Sequence, residues 1–257
     1  MTILITGGAG YIGSHTARLL QEMGRDVVAL DTLERGYRDA LDDIDLVEGD
    51  IADSRVVGKV CRKYDVASVI HFAAYKAVGE SVSEPLRYYK NNVSGSISLV
   101  ETLLEHDVRQ IVFSSSAAVY GTPDGSPVNE DAPLRPQSPY AQNKADVEQF
   151  LASCDPLGLR SVSLRYFNAA GAHESGDMGE DWSATANLVP VVMKVLLGIE
   201  PIELDVLVEG DMEALARELG EPTFHERFGT ATVRGDRFTI DLAEPRAESY
   251  PAPGSLP

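Results

Sequence analysis

Short β-branched and aliphatic runs recur along the chain at TILIT (2–6), DVVAL (26–30), DLVEG (45–49), SVIHF (68–72), QIVFSS (110–115) and SVSLRYF (161–167). Each has the length and composition of a buried strand. Between them, YIGSHTARLLQEMG, SRVVGKVCRKY, EPLRYYKNNVSGSISLVETLLEH and SPYAQNKADVEQFLASC repeat their apolar residues at helical spacing. Strand–helix alternation with short connections predicts an α/β fold, a doubly wound parallel sheet with helices on both faces. There is no internal repeat, and the terminal PAPGSLP predicts a frayed or extended end.

Composition narrows this picture. The 257 residues, 44% of them hydrophobic, suffice for one large α/β domain with a small appendage. No window holds eighteen uninterrupted apolar residues, and MTILITGGAG has neither a basic flank nor a cleavage site. The expectation is therefore no membrane span and no signal peptide. Cys61 and Cys154 share no metal-ligand spacing and read as packing residues of a reduced, cytoplasmic protein. A net charge of −18 argues against a nucleic-acid partner. It permits one anionic ligand, because backbone amides at a helix N-terminus bind anions without net positive charge. From Glu203 onward acidic residues outnumber basic ones more than twofold and every basic residue is an arginine, whereas every lysine lies at or before Lys194. That shift suggests a boundary.

The stretch TILITGGAGYIGSHTARLL follows a strand, opens a helix and carries glycines at 7, 8, 10 and 13. Gly7 and Gly8 permit the tight turn, Gly10 lets a pyrophosphate approach the backbone, and Gly13 lets helix pack on strand. The helix N-terminus supplies N–H groups and partial positive charge to phosphates. Asp31, ending the next strand, is placed to accept hydrogen bonds from a ribose 2′-OH and would repel a 2′-phosphate, so the pattern predicts a Rossmann-like fold binding NAD rather than NADP. Asp50 and Ile51 follow the third strand, where an adenine ring would lie, although a polar loop end accounts for them almost as well. Ala73 and Ala74 are small enough to let a cofactor lie against backbone. His71 reads as a strand residue satisfied by packing.

In SPYAQNK, Tyr140 and Lys144 lie four residues apart on one helix face, and Ser114, Ser115 and Ser116 end the fifth strand, at the sheet edge where doubly wound folds bind ligands. A Tyr–Lys pair at this spacing is common by chance; its weight comes from the glycine motif and the serine-bearing strand end. Hydride transfer from a secondary alcohol requires loss of the hydroxyl proton. A tyrosine of ordinary pKa near 10 is a poor base at neutral pH, and a neighbouring ammonium group and the nicotinamide charge are expected to lower it. Lys144 would also hold the nicotinamide ribose, and Ser116 would align the reacting oxygen. No metal ligand set is called for.

GGAGYIGSHT, FAAYKAVGESV, YYKNNVSGS, FSSSAAVYG, PQSPYAQNK and LRYFNAAGAHESGDMGED together resemble the UDP-glucose 4-epimerases of the extended short-chain dehydrogenase/reductase family, over residues 1 to about 195. The resemblance implies NAD contacts from Tyr11, Ile12, Asp31, Asp50, Ile51, Phe72, Ala73, Ala74, Tyr75, Lys76, Asn91 and Phe167. It implies UDP-sugar contacts from Asn168 and Asn187, and catalysis by Tyr140, Lys144 and Ser116. The implied reaction oxidises the sugar at C4 and reduces it again on the other face, in a cytoplasmic protein of galactose metabolism. The family's dimer helices correspond to SGSISLVETL and ADVEQFLAS, so a homodimer is expected. Ala118 stands where the family often has Thr, and Thr32 where it often has Asn. Dehydratases of the superfamily carry an acidic pair after the serine strand, which SSSAAVYG lacks.

The resemblance stops within NLVPVVMKVLLG. The family's C-terminal motifs, which supply an arginine to the UDP phosphates, do not follow. Instead LLGIEPIELDVLVEGDMEALARELG and the residues to 257 resemble the head domain of CCA-adding tRNA nucleotidyltransferases, with Glu203, Asp205 and Asp241 at the metal-carboxylate positions. Glu203 departs from the family's Asp, and the preceding glycine-rich element is absent. The expected organisation is an NAD-binding epimerase domain at 1–195 and a small, inert β-α-β-β appendage at 196–257. Weakened turnover, or an inactive NAD-binding fusion, is the expected consequence.

Overall fold

The computed structural model describes residues 1–123, 125, 127–181, 187–199, 202–207, 211–225, 230–235 and 238–243, with the backbone alone described at 195, 202–207 and 238. The terminal PAPGSLP lies outside the described residues. The chain forms two units, Met1–Gly179 and Glu180–Pro257. The division thus precedes the boundary expected near residue 195.

In the first unit, β1 (Thr2–Thr6), β2 (Val27–Asp31), β3 (Asp45–Glu48), β4 (Val66–His71), β5 (Gln110–Ser114) and β6 (Arg160–Leu164) form one sheet in the order β3-β2-β1-β4-β5-β6. Every neighbouring pair is parallel, with Leu4 beside Val28 and Val69, and Ile70 beside Val112. All six strands therefore end on one edge, and the chain reverses direction across the sheet between β1 and β4. Period-2 alternation assigns the two faces. Leu4, Val28 and Leu30 pack with residues of α2 (Ser54–Tyr64), α5 (Gly95–Glu105) and α6 (Pro139–Ser153), whereas Ile5 and Ala29 pack with Ala17 of α1 (Tyr11–Glu22). Burying each large aliphatic side chain contributes about 1.5–3 kcal/mol.

Local chemistry fixes the helix starts. Asp53 caps α2, accepting from the N–H groups of Arg55 (2.9 Å) and Val56 (3.3 Å). Ser138 caps α6 by accepting from Ala141 N–H at 3.2 Å, with Pro139 at the first helical position. Those caps place Tyr140 in the first turn of α6.

The single helix expected over 84–106 is a continuous helical run of three stretches, α4 (Pro85–Tyr88), a π-helical turn (Tyr89–Ser94) and α5, and a separate short helix, α3 (Val78–Ser83), precedes it. Pro85 disfavours helical geometry at Glu84, whose φ/ψ of −125°/52° ends α3. The wide turn that follows carries Asn91 and Asn92.

In the second unit, α7 (Leu188–Leu196) contacts β7 (Ile202–Leu207). Then come α8 (Met212–Leu219), β8 (Pro222–His225), β9 (Thr230–Arg234) and β10 (Phe238–Ala243), in the sheet order β7-β10-β9-β8. The appendage thus has one more strand than the expected β-α-β-β. Its core is Met212, Ala216, Ala231, Val233 and Leu242.

Candidate dinucleotide and catalytic site

The glycine loop follows β1. Gly7 has φ +68°, and a Cβ there would lie 2.6 Å from the backbone nitrogen of Ala73. A Cβ on Gly13 would lie 2.1 Å from the Gly7 carbonyl oxygen, so strand, loop and helix touch backbone to backbone. Gly10 is the N-cap of α1 and offers no side-chain acceptor to the amides of Tyr11, Ile12 and Gly13. The Asp31 carboxylate accepts from Ala9 N–H (3.0 Å) and Leu33 N–H (2.8 Å), which fixes the loop and leaves lone pairs for a further donor. A close-packed glycine cradle, an uncapped helix N-terminus and a carboxylate at the second strand end fit a dinucleotide.

The other expected contacts lie along the same edge. Asp50 turns back on Ala52 N–H at 2.9 Å, while the Ile51 side chain is buried in the core beside Gly95. Any cofactor contact of Ile51 is thus made by its backbone. Phe72 donates its N–H to Thr6 O (2.9 Å), Ala73 abuts Gly7, Ala74 is half-buried, and Lys76 is exposed. Asn92 clamps the backbone of Tyr75, accepting from its N–H at 2.8 Å and donating to its carbonyl at 3.0 Å, and Asn91 donates to the Asn92 side chain at 2.9 Å. Tyr11 in α1 donates from its hydroxyl to Gly171 O at 2.6 Å. Phe167 is 83% exposed and Asn168 is exposed too, both in the segment after β6. Asn187 belongs to the second unit, where it donates to Glu180 at 2.5 Å.

His71 is held by more than packing. Ser96 Oγ donates to Asn92 O (2.5 Å), so its lone pair accepts from His71 Nε2–H (2.9 Å), and Nδ1 accepts from Thr6 Oγ1 (2.7 Å). Burial first, and then the Lys144 charge, lowers its pKa to about 3, so the ring is neutral. Thr6, His71, Ser96 and Asn92 form a buried chain from β1 to the cofactor loop, and residues so far apart in sequence give no local signal of it.

Each serine after β5 has its own partner. Ser114 Oγ meets the Tyr166 hydroxyl at 2.5 Å, and its carbonyl accepts from Lys144 Nζ at 2.7 Å. Ser115 donates to Glu148, which also takes a bidentate pair from Arg165, with Nη2–Oε2 at 2.6 Å. Ser116 Oγ accepts from Ala118 N–H at 3.2 Å and lies by the Tyr140 phenol, whose pKa it tends to lower. Glu148 follows Lys144 by four residues on α6, a spacing readable in the sequence; the Arg165 partner is not.

Tyr140 and Lys144 come together, with Nζ 5.8 Å from the ring centroid and 4.8 Å from that of Phe113. In the protein alone, burial sets their proton affinities. Burial raises the Tyr140 pKa, with Ser116 opposing. Burial lowers Lys144 to about 7, with Glu148 opposing. The reason is desolvation of both groups in the protein alone; lowering the phenol requires the positive charges of ammonium and nicotinamide together.

The model of the NAD dependent epimerase/dehydratase family matches residues 3–211. The UDP-glucose 4-epimerase of Halalkalibacterium halodurans is 48% identical over 199 residues, covering 77% of this chain and 60% of that protein. The Bacillus subtilis enzyme of the same name is 46% identical, covering 77% and 62%. The chain thus spans about 60% of the length of these curated relatives. The crystal structure of the Brucella ovis UDP-glucose 4-epimerase in complex with NAD superposes with a TM-score of 0.77 at 41% identity, covering 79% of this chain and 63% of that one. That of the Bifidobacterium longum enzyme with NAD+ and UDP gives 0.75 at 39%, covering 82% and 66%.

Proposed function

The chain belongs to the NAD-dependent epimerase/dehydratase family, and we propose that it interconverts UDP-glucose and UDP-galactose through transient oxidation at sugar C4. One observation carries the reading: Ser116 and Lys144 flank Tyr140 at the carboxyl edge of the same parallel sheet whose first two strands lead into the glycine cradle and Asp31. Held by the glycine cradle and Asp31, NAD would supply the hydride acceptor and donor for sugar C4. Tyr140 takes the 4-hydroxyl proton and gives it back. Ser116 holds the reacting oxygen, and Lys144 supplies positive charge beside the phenol and a donor to the nicotinamide ribose. Glu148, paired with Arg165, holds Ser115 and thereby the serine strand end. The expected cofactor contacts from Gly7, Gly10, Tyr11, Ile12, Gly13, Asp31 and Ala73 rest on the cradle geometry; those of Asn168 and Asn187 with the UDP-sugar rest on the family resemblance.

The proposal extends to a homodimer through α5 and α6, and to a reducing, cytoplasmic setting suggested by two free, buried cysteines. No described helix is long and apolar enough to cross a membrane. For residues from about 196 onward we propose kinship with a nucleotidyltransferase head. The parallel pairing of β7 with β10 brings Asp205 and Asp241 into register, as metal carboxylates on adjacent strands require. Asp241 is occupied by Thr232, which suits an inert remnant. Because the residues after about 195 carry none of the family's phosphate-binding motifs, cofactor binding should be more robust than turnover.

The test is UDP-galactose to UDP-glucose conversion on purified protein, with bound NAD quantified in the same sample. Turnover with stoichiometric NAD supports the reading. Stoichiometric NAD without turnover leaves a cofactor-binding protein, and loss of both refutes the proposal.

A further inference from the structure

The loops after β2 and β4 are joined by a charged and aromatic network that cofactor chemistry does not require. These strands flank β1, so their loops lie on either side of the glycine loop. On the β2 side, Tyr37 N–H donates to Ala9 O at 2.9 Å, and a Cβ on Gly36 would lie 2.9 Å from the Ala9 carbonyl carbon. Glu34 and Arg35 are thereby held directly against the glycine loop. On the β4 side, Tyr75 is fixed by Asn92, while Glu80 and Arg87 come from α3 and α4.

The two sides meet in five side chains. Glu34 accepts from Arg87 Nη2 at 2.6 Å and from the Tyr75 hydroxyl at 2.7 Å. Arg35 Nη2 donates to Glu80 at 2.6 Å, and Arg87 reaches the same Glu80 oxygen at 3.3 Å. The guanidinium carbons of Arg35 and Arg87 lie 4.9 and 4.4 Å from the Tyr75 ring centroid. Tyr88 anchors Glu80 from behind at 2.6 Å. Hydrogen bonds from Arg35 and then Tyr88 lower the Glu80 carboxyl pKa to about 2, so the network stays charged across the physiological range.

We propose that Glu34, Arg35, Tyr75, Glu80 and Arg87 form a clasp across the mouth of the dinucleotide site and set the rate at which the dinucleotide leaves. This rests on the NAD reading of the glycine loop. A dinucleotide between Asp31 and Ala73 lies in the gap that the two loops bridge, and its release requires the bridge to part. The clasp residues are positioning residues: none is assigned a contact with the reacting atoms. Single exposed ion pairs contribute little, but Arg87 joins Glu34, Glu80 and Glu84 at once. Removing it severs the β2 loop from α4 in one step.

The experiment loads the full chain with NADH and follows loss of its fluorescence after mixing with excess NAD+. Wild type, Arg87→Gln, Glu34→Gln and the double variant are compared at low and high salt, with thermal melting recorded alongside. The clasp predicts release about tenfold faster in Arg87→Gln, a smaller increase in Glu34→Gln, and a double variant no faster than Arg87→Gln alone. It also predicts that 1 M salt accelerates wild-type release and narrows its gap from the variants, because salt screens exposed pairs. Equal release rates in wild type and Arg87→Gln, with salt without effect, overturn the clasp while leaving the NAD reading intact. Failure of wild type to bind the dinucleotide overturns the NAD reading, and the clasp with it.

Discussion

Replacing Lys144 by Met should stabilise the ligand-free protein at neutral pH and lose that advantage in alkali. Lys144 is 4% exposed, and its ammonium donates to the Ser114 carbonyl with a phenyl ring close by. Burial lowers its pKa from 10.5 to about 7. A gap of ~3.5 units, at ~1.4 kcal/mol each, sets a cost to the folded state of ~5 kcal/mol. The sign follows from proton counts. Below pH 7 the amine is charged in both states, and the folded state bears the whole cost. Between pH 7 and 10.5 the unfolded chain holds one more proton than the folded one, so stability rises with pH; above 10.5 the cost is gone. Methionine removes the charge but orphans the Ser114 carbonyl, which offsets ~1–3 kcal/mol. The variant should therefore be more stable than wild type by about 2–4 kcal/mol near pH 7, an advantage that falls by ~3–4 kcal/mol by pH 10. His71 is neutral throughout this range and does not disturb the comparison. Denaturant unfolding of both proteins at pH 7, 8, 9 and 10 measures the difference. A difference independent of pH would refute the desolvated amine, and with it the argument that this lysine is kept for chemistry at the expense of stability.

Other outcomes follow from the same geometry. Tyr140→Phe should lower kcat by ~10²–10⁴ while bound NAD, measured by release on denaturation, stays stoichiometric. Gly13→Ala places a Cβ 2.1 Å from the Gly7 carbonyl oxygen; it should destabilise the fold by ~1–3 kcal/mol and abolish NAD retention, both visible in a melt with and without cofactor. Glu148→Ala leaves Arg165 without its bidentate partner and should lower stability by ~3 kcal/mol in urea unfolding.

The parts of this protein that were legible in sequence are local ones. The strand runs, the glycine turn, and the four-residue spacing of Tyr140 and Lys144 are set by neighbours in the chain, and alternation of strands and helices implies a parallel sheet covered on both faces, though not the order β3-β2-β1-β4-β5-β6. The helix expected over 84–106 stands with one departure, the wide turn at Asn91 and Asn92, which is shaped by the distant Tyr75 backbone that Asn92 clamps. The division after Gly179 has no local signal, because the family's own sequence continues past it, to residue 211. Burial, which spacing along the chain does not report, raises the Tyr140 phenol in the protein alone, and the lowering expected from the ammonium and nicotinamide charges acts against it. The His71 chain and the Glu148–Arg165 pair were invisible for the same reason.

The proposed function requires that this strand edge oxidise and re-reduce a sugar carbon without exchanging its hydrogen with water. UDP-galactose carrying deuterium at C4, incubated with the purified protein and its bound NAD in ordinary water, tests it. The account predicts UDP-glucose that retains the deuterium at C4, formed with a primary isotope effect. UDP-glucose carrying solvent hydrogen at C4 would contradict it.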